Sequence, residues 1–173
     1  MVCCSALKSI EIPNNVTTIG DGAFEGCSSL QCINISEDNP NYTSVNGVLF
    51  NKELTTIIKF SEGKRIERYN IPNSVTTIEK KAFSGCKALQ SIDIPNSVTT
   101  IVNYAFSGCK SLQSIHLHWT QLGNIQIDNY ALGKDESVNF EECTLYVPSG
   151  TRWEYRHHPV FGKFKNIEIE KQE

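Results

Sequence analysis

The segment from Ile71 to Asp93, IPNSVTTIEKKAFSGCKALQSID, is followed without a gap by IPNSVTTIVNYAFSGCKSLQSIH, from Ile94 to His116. Two copies in register at 23 residues constrain this chain more than any other feature. A unit of that size is too short to enclose its own core, so it buries its apolar side only by stacking on its neighbours. The expected architecture is therefore a solenoid of coils, one repeat to a coil.

Alignment on the repeat step places equivalent residues in columns. Leu7, Leu30, Ile66, Leu89 and Leu112 are followed three residues later by Ile10, Ile33, Tyr69, Ile92 and Ile115. Two further on come Ile12, Ile35, Ile71, Ile94 and Leu117. The final spacing of two predicts a short strand whose apolar residues share one face. Pro13, Pro72 and Pro95 end the strands, and Val16/Ile19, Val75/Ile78 and Val98/Ile101 return to the core. Phe24, Phe83 and Phe106 fill the far side, and Gly26, Gly85 and Gly108 turn the chain into the next coil.

One interval is longer. Ile35 and Ile71 lie 36 residues apart, one repeat plus 13. The runs YTSVNGVLF and LTTIIKF, separated by NKE, predict a β-hairpin grown out of a long repeat spanning 35–70. Phe60 falls in the column of Phe83, so register returns after the insertion and the interruption is a variant coil, not a domain boundary. The repeats occupy 1–116, and 117–173 reads as a degenerate repeat followed by a cap. Within it CTLYVP predicts a last strand, and Ser149 or Thr151 is placed to cap a helical turn carrying Trp153, Tyr155 and Arg156. An aromatic-rich terminus suits the end of a solenoid, where a coil's apolar cross-section must be covered.

Cys4 and Cys27 lie one repeat apart, as do Cys86 and Cys109. They read as a ladder of small buried residues. Coils one strand spacing apart would admit a disulfide between neighbours, but a buried free thiol is the favoured reading. Cys32 falls in a column otherwise held by Ser9, Arg68, Ser91 and Ser114 and is expected to point away from the core, a surface thiol with nothing near it to activate it.

The repeat unit I-P-x-x-V-T-x-I-x-x-x-A-F-x-G-C-x-x-L-x-x-I-x resembles the BspA-like leucine-rich repeat, a class common in bacterial surface proteins and some parasitic protists. The resemblance runs from Cys4 to about His116, and the segment CTLYVPSGTRWEYRHHPVFGKFKNIEI is similar to the closing segment of bacterial members. It implies a β-rich, right-handed, curved leucine-rich-repeat solenoid with a parallel sheet on one face. It also implies a cell-surface or secreted setting and a role in adhesion or protein binding. It carries over no catalytic residue, because every motif position is structural. The chain begins inside a repeat, so it reads as a fragment of a longer protein.

Charge and motifs narrow the function. A net charge of −3, with the 16 basic residues scattered, leaves no electrostatic footprint for nucleic acid. No apolar run approaches the ~20 residues of a membrane span. There is no G-x-S-x-G, P-loop or H-E-x-x-H, so no enzyme, cofactor or resident metal is expected. DNPN offers oxygen donors but lacks calcium-loop spacing. His116 and His118, two apart on one strand face, are the sole approach to a zinc pair, and no third ligand is spaced to join them. Adjacent His157 and His158 point in different directions.

Function is expected on the exposed strand column, where Glu11, Asn34, Arg68, Asn70, Asp93 and His116 stack into a polar surface. A protein or glycan ligand, host extracellular molecules included, would dock there, either weakly held or bound with the hairpin and Trp119 contributing as well, and the module is expected to be monomeric. The competing reading is a structural spacer or scaffold segment of a larger exported protein.

Overall fold

The computed structural model describes residues 4–134 and 137–171. Its strands are β1 (Ser9–Ile12), β2 (Cys32–Ile35), β3 (Tyr42–Val45), β4 (Val48–Asn51), β5 (Thr56–Lys59), β6 (Arg68–Asn70) and β7 (Thr77–Ile78). They continue as β8 (Ser91–Ile94), β9 (Thr100–Ile101), β10 (Ser114–Leu117), β11 (Gln126–Ile127), β12 (Thr144–Val147) and β13 (Asn166–Ile169). One helix, α1 (Arg152–His157), and a 3-10 turn at Phe161–Lys163 precede the last strand. The fold is a β-solenoid of about seven turns.

Each I-x-I run forms a front strand because its alternate residues reach a core that the neighbouring coil completes. β6, β8, β10, β12 and β13 form one parallel front sheet, and β8 pairs β10 in the repeat register, Ser91 with Ser114 through Ile94 with Leu117. The V-T-x-I segments build a parallel ladder behind it, in which Thr77 pairs Thr100 and Ile78 pairs Ile101. Between the two layers Phe60, Phe83 and Phe106 stack with centroids 5.2 and 5.1 Å apart, so the Phe60 column is as expected. The chain also bonds coil to coil outside its strands. Phe83 N–H donates to Ala105 O at 2.7 Å, and Gly85 N–H to Ser107 O at 2.8 Å.

The insertion differs from the single hairpin expected. The run YTSVNGVLF is not one strand but folds on itself at Asn46–Gly47, both at positive φ (51° and 74°), as the favoured Asn-Gly hairpin turn requires. β5 then pairs antiparallel with β4, giving a three-stranded meander that joins the rear sheet through β5 and β7. The turn lies against β2. Ile33 N–H donates to Gly47 O, and a Cβ at Gly47 would sit 2.8 Å from Cys32 Sγ.

That contact interrupts the front face. β1 and β2 form a separate two-stranded sheet, and β2 has no strand bond to β6. The core divides in the same place. A smaller cluster holds Ile12, Phe24, Cys27, Leu30, Ile33 and Leu49, and a larger one runs from Val48 to Ile167.

The thiol ladder is buried at Cys27, Cys86, Cys109 and Cys143, and the six described cysteines are free. Cys109 Sγ donates to Phe83 O at 3.0 Å. Cys4 departs from the expectation of burial and is exposed, because no coil covers that side of it among the described residues. Burial pushes the Cys143 thiol up to about 12. The Cys86 thiol is raised by its bond with Cys109 and by burial, so both are poor nucleophiles.

At the C-terminal end, Thr151 is the N-cap residue of α1 as anticipated, but its side chain makes no cap bond. Its hydroxyl donates instead to Pro148 O at 2.8 Å, closing the preceding turn. Trp119 also corrects the sequence reading. It is 2% exposed, donates from its indole N–H to Val98 O at 2.7 Å, and accepts the Tyr155 hydroxyl at its carbonyl. It is a core pillar that pins the cap, and its side chain does not lie on the exposed surface.

Candidate functional site

The outward positions of the front strands are polar because the inward positions are taken by Ile and Leu, and alternation leaves every second residue to solvent. The six expected residues fall on two separate sheets. Glu11 and Asn34 are exposed on β1 and β2, where they are register partners. Arg68 and Asn70 lie on β6, Asp93 on β8 and His116 on β10, with Asn70 opposite Asp93 and Asp93 opposite His116. The insertion parts the first pair from the other four. Cys32, in the outward column, is half-buried with its Sγ 3.0 Å from Asn34 Oδ1.

On the five-stranded sheet the column continues beyond His116. Tyr146 on β12 pairs with His116, and Glu168 on β13 pairs with Tyr146. The period alone conceals these two, since the intervals His116–Tyr146 and Tyr146–Glu168 depart from the repeat. The signal was local: TLYV and NIEI share the alternation of SIDI and SIHL.

The His116 and Tyr146 rings stack with centroids 4.6 Å apart and planes within 9°. Glu170 reaches over from the end of β13 to place Oε2 at 2.9 Å from His116 Nδ1, and His116 Nε2 lies 3.2 Å from Ser114 Oγ. His118 is held separately, with Nε2 at 3.1 Å from both carboxylate oxygens of Asp93. The two imidazoles are thus turned to different carboxylates and do not converge on a common point. Among the described residues no group of three or more His, Cys, Asp and Glu side chains is gathered to hold a metal ion.

The order Ser114–His116–Glu170 has the connectivity of a nucleophile, a base and an orienting carboxylate. Ser114 itself is engaged by the neighbouring coil. Ser114 Oγ is engaged with Ser91 Oγ at 2.8 Å, and the Ser114 N–H donates to Gln90 O within the stack. The Ser114 N–H is thus committed to a coil-to-coil bond and is not free to receive a developing oxyanion. The chain of bonds instead orders these side chains on the outward face of the front sheet, around the His116–Tyr146 stack.

Two other features of the sequence reading are structural. Asn39, in DNPN, is fully buried. Its Nδ2 donates to Pro13 O and Val16 O at 3.0 Å each, while Oδ1 accepts the Asn41 and Tyr42 N–H groups. His158 accepts the Val160 N–H at Nδ1, and burial lowers its pKa. Its neighbour His157 packs on the indole of Trp153, which is 70% exposed.

Comparison with known proteins agrees with this geometry. The family described as BspA type leucine-rich repeat region matches six copies over residues 2–69 and 57–144. A leucine-rich repeat protein from Eubacterium ventriosum is similar over 83% of this chain and 42% of its own, at 25% identity and a TM-score of 0.59. A leucine-rich cell surface protein from Faecalibacterium prausnitzii is similar over 96% of this chain and 49% of its own, at 26% identity and a TM-score of 0.60. The pneumococcal vaccine antigen PcpA shares the fold, with 18% identity, a TM-score of 0.54, and coverage of 96% of this chain and 56% of its own. The chain thus spans about half the length of these solved structures. A search of curated protein sequences returns no significant match.

Proposed function

The chain belongs to the BspA-type leucine-rich repeat family, and from that premise we propose that it is a non-enzymatic binding module of a surface or secreted protein, taking a protein ligand on its five-stranded front sheet. The observation that carries this reading is the ordered patch of Asp93, His116, His118, Tyr146 and Glu170, flanked on β6 by exposed Arg68. Side chains already held by one another lose little freedom when a partner docks, which favours affinity. Tyr and Arg are the residue types on which interface energy concentrates. Glu11 and Asn34, on the detached two-stranded sheet, would form the rim of a larger footprint. The repeat family makes binding the coarse function, and the surface setting of the Faecalibacterium relative favours adhesion or host contact as its use. Among the described residues no helix is long and apolar enough to cross a membrane.

The test is capture of a ligand from extracellular-matrix and cell-surface fractions by the folded chain and by an Arg68→Ala/Asp93→Ala/Tyr146→Ala variant. All three substitutions lie on the outward face, so thermal stability should stay within about 1 kcal/mol. A ligand held by the parent and lost by the variant supports the module. Equal capture by both would overturn the placing of the site on the front sheet, and capture by neither would favour the spacer reading, in which the coils only separate other parts of a longer protein.

A further inference from the structure

Away from the front sheet the insertion creates a second site. Regular coils close on one another through backbone bonds such as Gly85 N–H to Ser107 O. Where the first coil meets the insertion, Glu62 stands in the column of Gly85, and its side chain replaces the carbonyl, with Oε1 accepting the Gly26 N–H at 3.3 Å. Among the described residues Phe24 N–H makes no bond of the kind Phe83 makes to Ala105. Side chains hold the two parts apart, and a cleft of about 400 Å³ lies between residues 19–25, the insertion, and residues 79–84. That volume lies within the range of small-molecule sites.

The walls of the cleft differ in charge. Asp21 and Glu25 stand on the first-coil side, and Lys80 and Lys81 face them from the turn after β7, where Glu79 also lines the cleft and accepts the Lys80 N–H at 3.3 Å. The sides meet at the mouth through Lys80–Asp21 at 3.4 Å and Lys81–Glu25 at 2.8 Å. Both pairs are solvent-exposed, so each is individually weak and easily exchanged for a better partner. The floor, by contrast, is built. Lys59 and Glu62 form a buried pair at 3.3 Å, and Lys59 Nζ also donates to the carbonyls of Lys81 and Ser84. Half-buried Ile19 and Ile58 line it as well, and the Tyr42 hydroxyl accepts the Ile19 N–H at 3.0 Å, leaving its own proton to donate.

An acidic wall opposite a lysine-bearing wall, with Ile19 and Ile58 beside a Lys59–Glu62 pair that is already neutralised, matches a ligand with a cation at one end, an anion at the other and an aliphatic group between. We propose that this cleft binds a short zwitterionic peptide, its ammonium on Asp21 and Glu25, its carboxylate on Lys80 and Lys81, and an aliphatic side chain over Ile19 and Ile58. The site is independent of the front sheet and stands or falls separately from ligand capture there.

Lys81 offers a substitution that keeps the fold. It lies at φ 60° in the column where the first coil has Gly22 at φ 76°, so Lys81→Gly removes the cation and retains the turn. The experiment is an amide-resolved NMR titration of the whole chain with glycyl-leucine, with N-acetyl-glycyl-leucine and glycyl-leucinamide as controls. The expected result is saturable shifts confined to residues 19–26, 56–62 and 79–85, half-complete below about 10 mM. Acetylation, amidation, Lys81→Gly and Glu25→Gln should each weaken binding by about tenfold. No saturable shift, shifts spread over the front sheet, or equal binding of the blocked peptides would overturn the proposal.

Discussion

At the scale of single residues, several positions do work that their chemistry alone allows. Asn39 bridges the first coil to the insertion with four bonds from one buried amide, two donated and two accepted. Loss of that side chain removes all four bonds, each worth about 0.5–1.5 kcal/mol. Asn39→Ala should therefore lower unfolding free energy by about 3 kcal/mol in a denaturant titration, and a change under about 0.5 kcal/mol would refute the bridging role. In the sequence Asn39 was legible as one of the oxygen donors of DNPN and not as a bridge, because its acceptors at Pro13 and Val16 belong to another coil. The thiol columns at Cys27, Cys86 and Cys109 were legible as buried, since a small apolar residue at each repeat step has only the core to occupy. Trp119 was misread for the opposite reason. It follows the last regular strand, where no repeat partner indicates which way a side chain points.

At the scale of elements, the front strands and the phenylalanine stack follow from periodicity, and the meander follows from turn chemistry. Phe106 is fully buried between Phe83 and the coil that carries Ala131, so Phe106→Ala leaves a cavity that neither neighbour can fill. The expected cost is about 3–5 kcal/mol. Phe24→Ala, at the edge of the smaller cluster with 8% exposure, should cost less. Calorimetry of the two variants checks the order, and equal losses would mean that the two clusters are equally closed. The turn at Asn46–Gly47 was present in the sequence as its strongest hairpin signal. Reading YTSVNGVLF as one run passed over it, because alternation continues across the turn.

At the scale of the molecule, the insertion separates two sheets and two cores while the chain remains one solenoid. Cooperativity should reflect this. Native-state hydrogen exchange is expected to show the amides of β1 and β2 opening through a lower-energy step than those of β8 and β10, by about tenfold or more in rate. Identical opening free energies for Ile33 and Ile92 would instead mean that the side-chain contacts across the cleft couple the two parts as tightly as backbone ladders do. The exposed column expected for binding is divided at this same boundary. Its larger part, from Arg68 to Glu168, follows the five-stranded sheet, and its smaller part, Glu11 and Asn34, follows the other.

The repeat by itself determined that the chain is a solenoid, which residues of the regular coils face the core, and where the coil is interrupted. Periodicity is a local property, and each coil's demand for a neighbour is written in every copy. Only the tertiary structure decided that the hairpin turn takes the edge of β2, that Glu62 reaches Gly26, and that Glu170 comes to rest beside His116. Those contacts join residues 14, 36 and 54 positions apart and depend on which side chain fills a gap once the coils have stacked. A stacking gap has no period, so no repeat in the sequence announces it.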